Sequence, residues 1–269
     1  MRITKHLVQR KISRFDLVKE LAVTDFKIKY QGSLLGYAWS LAKPLAMFGV
    51  LYLVFTVFVR IGSGIQHYAL YLLLGIVMWT YFTDLTNTAM RSVADKGEMM
   101  RKVYFPRITI VLSTSISATI TLALNLVVVF IFMLLARIPV ELTHILFIFV
   151  LIEYFILCLG ISLLISAFFV KYRDIGHIWE VILQLLFYAS AIIYPLTIVP
   201  VRYQKFILLS PITQIIQDSR YILVTKETVI PMNVLHFPYI FIPYIIPFVL
   251  LAVGMFYFNR AARNFAEEA

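Results

Sequence analysis

The side chains that could carry out chemistry are few and widely spaced along this sequence. Asp174 and His177 lie close together, and a transferase working at a membrane surface would need such a group of Asp, Glu and His at one face. No further partner lies nearby in the sequence, so the pair is a weak catalytic candidate. The histidines lack the spacing of metal ligands, and the single cysteine, Cys158, cannot form a disulfide within the chain. We therefore expect no catalytic residues and no metal site.

Three carboxylates, Asp84, Glu153 and Glu180, lie inside long apolar runs. A carboxylate that faces lipid at mid-membrane costs about 2.5 to 3.5 kcal/mol, so we expect these three to face protein, water or an interface. Glu153 lies deepest. No intramembrane series of His or Lys accompanies it, which favours a hydrogen bond to a neighbouring helix, or a pathway contact, over a proton relay.

The elements that position these side chains are apolar stretches, each reaching the roughly 20 residues that a helix needs to cross about 30 Å of hydrocarbon. The chain is 61% hydrophobic, whereas soluble domains are about 45 to 50% apolar. Continuous rather than alternating apolar runs predict helices instead of a barrel. The sequence therefore predicts an all-α integral membrane protein with six transmembrane helices, at Ala38 to Val59, Tyr68 to Ala89, Ile108 to Ala136, Ile145 to Val170, Ile178 to Val199 and Phe237 to Phe258.

The distribution of cations predicts the orientation, because Lys and Arg near span ends are retained in the cytoplasm. They are concentrated before the first span, after spans two and four, and at the end of the chain. Both termini should be cytoplasmic in the plasma (cell inner) membrane. The net charge of +10 lies beside spans, where it meets anionic membrane lipids or a cytoplasmic partner rather than nucleic acid. We expect an interface region at 1–35, a six-span domain at 36–259 and a tail at 260–269.

The N-terminal region has an amphipathic pattern that differs from that of a membrane span. Its apolar residues Val8, Ile12, Phe15, Val18 and Ala22 recur at helical spacing. This pattern predicts an amphipathic helix lying on the inner membrane surface. The helix either anchors the chain and fixes its topology or forms a docking surface for a cytoplasmic subunit.

The connector 91–107 is too charged to enter lipid and long enough for a short helix. Asp95, Glu98, Arg101 and Lys102 place mixed charges about one turn apart, which suits either a protein groove or water. Pro106 starts the following span at a position that a helix tolerates.

The outer connector 200–236, between spans five and six, is far longer than a tight turn needs. After Pro211, apolar residues share a helical stripe, and Asp218 and Arg220 lie off it. We expect short re-entrant helices here, since non-spanning backbone is tolerated at membrane depth where protein or water covers it. Span five ends with Tyr194, Pro195 and Pro200, which should break or bend it towards this region. An outer gate could lie here.

Several motifs resemble one family when they are read in order. They are Asp25–Tyr30, Ser33–Trp39 with Pro44, Arg101–Arg107, Tyr172–Ile175, Tyr194-Pro195, and Ser210–Ile212 leading to Arg220. Together they are similar to the permeases of ABC exporters that move lipid-linked polysaccharides of the O-antigen, capsule or teichoic-acid type. The outer motif of that family more often begins with Asn, where this chain has Ser210.

The resemblance implies a homodimer of six-span permeases joined to two copies of a separate ATPase subunit. ATP and Mg would bind to that subunit and no cofactor to this chain, which contains no G-x-x-x-x-G-K-[ST] phosphate loop. The N-terminal helix and the connector would contact the ATPase. The candidate coupling residues are Arg14, Phe15, Asp25, Asp95, Glu98, Arg101 and Lys102. The candidates for an outer gate are Pro195, Pro211, Asp218 and Arg220.

A sliding glycan needs weakly binding walls, and aromatic side chains offer apolar faces with polar tips. Tyr37, Trp39, Tyr52, Tyr188 and Tyr194 are the candidates for such a wall. The same residue types are also enriched at both membrane interfaces as plain belts.

Two other functions stay open. One is an ABC exporter permease for a drug or lipid, and the other is a multi-span membrane acyl- or glycosyltransferase.

Overall fold

The computed structural model describes residues 14–30, 36–97 and 106–262, and every regular element in these ranges is helical. Helix α2 continues as a π-helical turn, Val54–Phe58, and short 3-10 segments precede or follow several helices. The α-helices are α1 Arg14–Tyr30, α2 Ala38–Leu53, α3 Tyr68–Asp95, α4 Ile108–Leu135, α5 Phe147–Lys171, α6 Ile175–Ala189, α7 Val201–Leu208, α8 Pro211–Leu223, α9 Pro231–Val234 and α10 Ile242–Ala261.

The predicted all-helical membrane class is confirmed. In the described parts of the chain, five helical segments are long and apolar enough to cross a bilayer. They cover five of the six predicted spans, with boundaries shifted by a few residues. They are Ala38–Phe58, Tyr68–Asp95, Ile108–Leu135, Leu142–Lys171 and Tyr239–Ala261.

The predicted fifth span, Ile178 to Val199, is not a single helix in the structure, and its crossing of the membrane stays a prediction. Helix α6 ends at Ala189 after 15 residues, which is about 22 Å and short of the hydrocarbon thickness. The break comes before the prolines that were expected to cause it, at Ala191, which has a positive φ of 51°. Pro195 and Pro200 then keep the backbone extended before the next short helices.

Three short helices, α7 to α9, occupy the connector in which short helices were expected. Helix α8 begins with Pro211 at its first position, as predicted for a helix start. Its apolar stripe is buried, with Ile215 and Ile216 fully inaccessible. The connector is therefore a packed part of the protein, and its re-entrant placement stays a prediction.

Helix α3 forms the centre of the bundle. It packs against α4 and α5 along most of its length, and against α2, α6 and α8 over shorter stretches. Most of its residues are buried. Helix α1 lies along α4 with Ala22 buried against the bundle, whereas Val8 and Ile12 of the predicted stripe lie outside the described residues. Because α3 contacts all of these helices, a shift of α3 would alter its packing against each of them.

Helices α5 and α10 cross at two facing glycines. A Cβ on Gly254 would lie 2.5 Å from the carbonyl oxygen of Gly160, and a Cβ on Gly160 would lie 2.6 Å from the backbone nitrogen of Leu251. Backbone atoms cannot move aside as a flexible side chain can. Small residues thus let these two membrane helices approach closely, as is common at helix interfaces in lipid.

We expect Gly254→Val to destabilise the folded chain by about 1–3 kcal/mol, because the added methyls must push two backbones apart. Thermal unfolding in detergent measures the loss. Gly49→Val on α2 is the matched control, since no atom lies within 4 Å of the position of its Cβ. Equal unfolding temperatures for the two variants would contradict the close packing of the two backbones at this crossing.

Candidate functional site

A stripe of polar side chains runs along the C-terminal half of α3 and remains partly exposed, although most of that helix is buried. Its members recur every three or four residues, so they share one face. We call this the α3 stripe: Thr80, Thr83, Asp84, Asn87, Thr88 and Arg91. The sequence analysis treated only Asp84 individually and missed the stripe, although its spacing is visible in the sequence.

Ion pairs place the α3 stripe between α2 and α6. Near its middle, Asp84 lies 3.5 Å from the ammonium of Lys43 on α2 and 3.7 Å from that of Lys29 on α1. At its C-terminal end, Arg91 lies 3.8 Å from a carboxylate oxygen of Glu180 on α6. These pairs are partly exposed and contribute little stability individually. Their value is positional, because they mark the two helices that border the polar face.

Helix α6 is also attached to α3 by a buried hydrogen bond. The indole Nε1–H of Trp179 donates to the hydroxyl of Thr86 at 3.1 Å. Trp179 packs on the ring of Phe82 as well. This contact fixes which face of the short helix is turned towards α3 and leaves its apolar outer face exposed.

The predicted wall aromatics lie on the two helices that border the α3 stripe or in the segments next to those helices. On α2, Tyr37 caps the helix, Trp39 is 53% exposed and Tyr52 lies near the other end. At the far end of α6, Tyr188 is 64% exposed. The hydroxyl of Tyr194 donates to the carbonyl of Tyr188 at 2.9 Å. The polar stripe is therefore bordered by helices that present aromatic rings.

Of the predicted coupling residues, Asp25 occupies the best-defined position. Both of its carboxylate oxygens accept hydrogen bonds from the Lys96 ammonium, at 2.8 and 2.7 Å, and one accepts from the Ser113 hydroxyl at 3.2 Å. Both charged side chains are about four-fifths buried. Asp25 thus joins α1 to the end of α3 and to α4, and its role in coupling stays a prediction.

The other predicted coupling residues are less defined. Asp95 is exposed in the last turn of α3. The side chains of Arg14 and Phe15, and all of Glu98, Arg101 and Lys102, lie outside the described residues.

Near the other end of α3, Arg220 of α8 is completely buried, although the helical pattern placed it off the apolar stripe. Its guanidinium donates to the carbonyls of Tyr71 (3.0 Å), Ala191 (2.9 Å) and Ile192 (2.5 Å). It also donates to the side chain of Gln217 at 3.2 Å. We call this arrangement the Arg220 clamp, since it ties α8 to α3 and to the broken end of α6.

The surroundings of the Arg220 clamp fit a cation. The guanidinium carbon lies 3.6 Å from the centre of the Tyr71 ring, a favourable cation–π geometry. A Cβ on Gly75 would overlap the guanidinium, so glycine makes the space. Burial lowers the pKa of the Arg220 guanidinium and Tyr71 opposes that effect, but arginine starts far above neutral and keeps its charge. The hydroxyl of Tyr68 donates to the next carbonyl, that of Ile193, at 2.9 Å.

A second polar group joins α8 to α5 and α10. One carboxylate oxygen of Asp218 accepts hydrogen bonds from Gln214 (2.8 Å) and from the Tyr244 hydroxyl (2.9 Å). Gln214 also donates to Glu153 at 3.4 Å, which is a hydrogen bond to a neighbouring helix of the kind expected for this residue. Burial raises the pKa of the Asp218 carboxyl above its usual range. Asp218 thus helps to hold α8 in place.

The predicted gate prolines lie at element boundaries. Pro195 precedes a 3-10 segment and Pro211 starts α8. Among the residues that the structure describes, no group of three or more His, Cys, Asp and Glu side chains could hold a metal ion.

Comparisons with known proteins complete the description. The family described as ABC-2 type transporter matches residues 16–224, a range that includes the α3 stripe and Arg220. A Klebsiella pneumoniae protein named O-antigen export system permease protein RfbA is 28% identical over 94% of this chain and 95% of its own length. A second Klebsiella pneumoniae protein of that name is 26% identical over the same shares. A Myxococcus xanthus protein of that name is 27% identical over 67% of this chain and 69% of its own length.

Proposed function

This chain belongs to the ABC-2 type transporter family, and from that premise we propose that it is the membrane subunit of an ATP-driven exporter of a lipid-linked polysaccharide. The glycan would be of the O-antigen, capsule or teichoic-acid type. The proposal is supported by the names of the three relatives, each an O-antigen export system permease protein.

The observation that carries the proposal is the α3 stripe. Hydroxyl and carboxamide groups are costly on a membrane helix unless they meet water, protein or a polar cargo. A glycan brings hydroxyls that exchange hydrogen bonds with Thr83 and Asn87, and its C–H faces suit the rings of Trp39 and Tyr188. A drug or lipid cargo would form few hydrogen bonds with such a stripe. The α3 stripe also lacks a catalytic group of an acid, a base and a nucleophile. It therefore does not favour the alternative function, a membrane acyl- or glycosyltransferase.

A single chain leaves the α3 stripe open on one side. Helices α2 and α6, which border it, expose apolar and aromatic faces. In our proposal a second copy closes the path, and the permease works as a homodimer. Two copies of a separate ATPase subunit bind ATP and Mg and act on α1 and the connector 91–107. The Asp25–Lys96 pair would pass that motion to α3, as a rigid-body shift.

In the proposed topology the chain spans the cell inner membrane and both of its termini lie in the cytoplasm. The fifth of the six crossings consists of α6 together with the irregular residues 190–198, and α7 to α9 form the outer re-entrant region. Irregular backbone at membrane depth needs internal partners, and the Arg220 clamp supplies them at Ala191 and Ile192.

We expect Thr83→Leu combined with Asn87→Leu to reduce export about tenfold, since each lost hydrogen bond to cargo is worth about 0.5–1.5 kcal/mol. Stability should change little, because Thr83 bonds only within its own helix, to the Thr80 carbonyl, and leucine favours helices. Surface glycan in cells that carry the variant is the readout. Asn259→Leu on α10 is the control, since Asn259 is exposed and far from the stripe in sequence. Normal export by the double variant would remove the α3 stripe from the path.

The function itself is tested by deleting the chain from its own organism. We expect lipid-linked polysaccharide to accumulate inside the cell and to disappear from the surface, with both effects reversed by the intact chain. Unchanged surface polysaccharide in the deletion strain would overturn the proposed cargo.

A further inference from the structure

The side of the protein that carries α8 contains a polar cavity of about 460 Å³. It lies where the start of α3, the end of α4 and the segment after α8 meet. The charged groups around it are of both signs: Arg137, Lys226, Glu141 and Glu227. This volume falls in the range of small-molecule sites, about 300–1,000 Å³.

A second cavity, of about 600 Å³, continues from the first. Glu141 and His144 line both cavities, so the two share one boundary. Apart from these two residues, the second cavity is lined by apolar side chains, among them Phe130, Ile145 and Leu151. Together the cavities form a single cleft, polar at one end and apolar along the rest.

The shared boundary is rigid. The backbone N–H of Glu141 donates to the Nδ1 atom of His144 at 3.2 Å, and the backbone N–H of His144 donates to the Glu141 carbonyl at 3.1 Å. The Thr143 hydroxyl donates to one Glu141 carboxylate oxygen at 2.9 Å. The Glu141 carboxylate also accepts from the backbone N–H of His144, which completes a capping box and holds this carboxylate at the wall of the cavity.

The charged side chains at the polar end form no ion pairs with the other residues that the structure describes. These side chains are Arg137, Lys226, Glu141 and Glu227. Arg137 and His67, both on the cavity wall, also have positive φ values of 55°. The positive φ of Arg137 ends α4, where the backbone N–H of Ile138 donates to the Met133 carbonyl at 3.2 Å as in a Schellman motif.

The apolar end has the depth of one leaflet. Along α5 and the 3-10 turn before it, the wall extends from Val140 to Leu151. At about 1.5 Å per residue this is roughly 15 Å, half of the hydrocarbon thickness. The facing wall on α4 begins at Leu126 and ends at the turn that contains Arg137, which is a similar length.

We propose that this cleft binds one amine-bearing glycerophospholipid, of the phosphatidylethanolamine class, from the leaflet on this side of the membrane. Arg137 and Lys226 hold its phosphate, Glu141 and Glu227 hold its ammonium, and an acyl chain fills the groove between α4 and α5. The pairing of two cations with two carboxylates selects a zwitterionic headgroup over an anionic one. The site is separate from the α3 stripe and does not depend on which cargo is exported.

The test is native mass spectrometry of the detergent-purified chain with three added lipids: dioleoyl phosphatidylethanolamine, dioleoyl phosphatidylglycerol and a polyprenyl phosphate. We expect the ethanolamine lipid to be retained about tenfold more tightly than the other two. Arg137→Gln with Lys226→Gln, and Glu141→Gln with Glu227→Gln, should each remove that preference. Ile148→Trp should weaken retention of the whole lipid by filling the groove.

The matched control is Arg202→Gln with Lys205→Gln, which removes two exposed cations of α7 that line neither cavity. Its lipid preference should equal that of the intact chain. Equal retention of phosphatidylglycerol or of polyprenyl phosphate would overturn the assignment of the headgroup. Binding of glycerophosphoethanolamine, which has no acyl chains, as tightly as the whole lipid would show that the groove takes no part. The altered residues lie on the cavity surface, and circular dichroism checks that each variant keeps its helical content.

Discussion

Replacing Arg220 with glutamine is expected to reduce export to background and to destabilise the folded chain by about 3–5 kcal/mol. The guanidinium satisfies the carbonyls of Tyr71, Ala191 and Ile192 in a fully buried place. Glutamine is shorter and cannot reach all three, so buried acceptors lose their partners at about 1–3 kcal/mol each. The broken end of α6 and helix α8 would then separate. Thermal unfolding in detergent and surface glycan in cells measure the two losses.

Two further variants sharpen this test. Arg220→Lys keeps the charge but lacks the planar fork, so it should lie between the intact chain and the glutamine variant in both measurements. Arg202→Gln removes an exposed cation of α7, whose charged group lies over the Tyr203 ring, and should leave both measurements unchanged. An Arg220→Gln chain that unfolds at the normal temperature and exports normally would refute the Arg220 clamp.

Breaking the Asp25–Lys96 pair is expected to uncouple ATP hydrolysis from export. The pair is mostly buried and its hydrogen bonds are charge-assisted, each worth about 1.5–3 kcal/mol. Asp25→Asn keeps the shape of the side chain but loses its charge, so α1 is held less firmly against α3. We expect export to fall about tenfold or more while the variant still binds the ATPase subunit. Export and hydrolysis are measured on the same preparation.

The exchanged variant, Asp25→Lys with Lys96→Asp, restores opposite charges at the same two positions. Export should recover in part relative to either single change, and this result would not follow if Asp25 contacted the ATPase directly. Asp174→Asn is the matched control, since Asp174 is exposed at the start of α6 and makes no side-chain cap bond. If the exchanged variant exports no better than the single variants, the pair does not transmit motion.

The class of fold could be predicted from the sequence because apolar length is a local property. Ala38–Phe58 or Ile108–Leu135 needs no partner to be recognised as a membrane helix. The end of α6 could not be predicted in this way. Its position depends on Arg220, which lies 29 residues further along the chain from Ala191 and takes over that carbonyl. The prolines indicated a break nearby but not the residue at which it occurs.

The candidate site was only partly predictable. The polar residues of the α3 stripe recur at helical spacing, which is visible in the sequence. The other faces of the helix are apolar, and only the structure shows which polar side chains are exposed. Asp25 was singled out by its motif as a coupling residue, and that role stays a prediction; its partner Lys96 lies 71 residues away and no local pattern indicates it. Arg220 was singled out for the same reason, and its burial could not be foreseen because a helical pattern treats arginine as a surface residue.

The most direct measurement of the central claim is ATP hydrolysis by the chain co-purified with whatever ATPase subunit its gene neighbourhood encodes. The account predicts a stable complex whose hydrolysis rises when lipid-linked polysaccharide is added and does not rise with the lipid carrier alone. The Thr83→Leu, Asn87→Leu chain should form the same complex but lose that response. A chain that binds no ATPase, or a complex that responds equally to the carrier without sugar, would contradict the account.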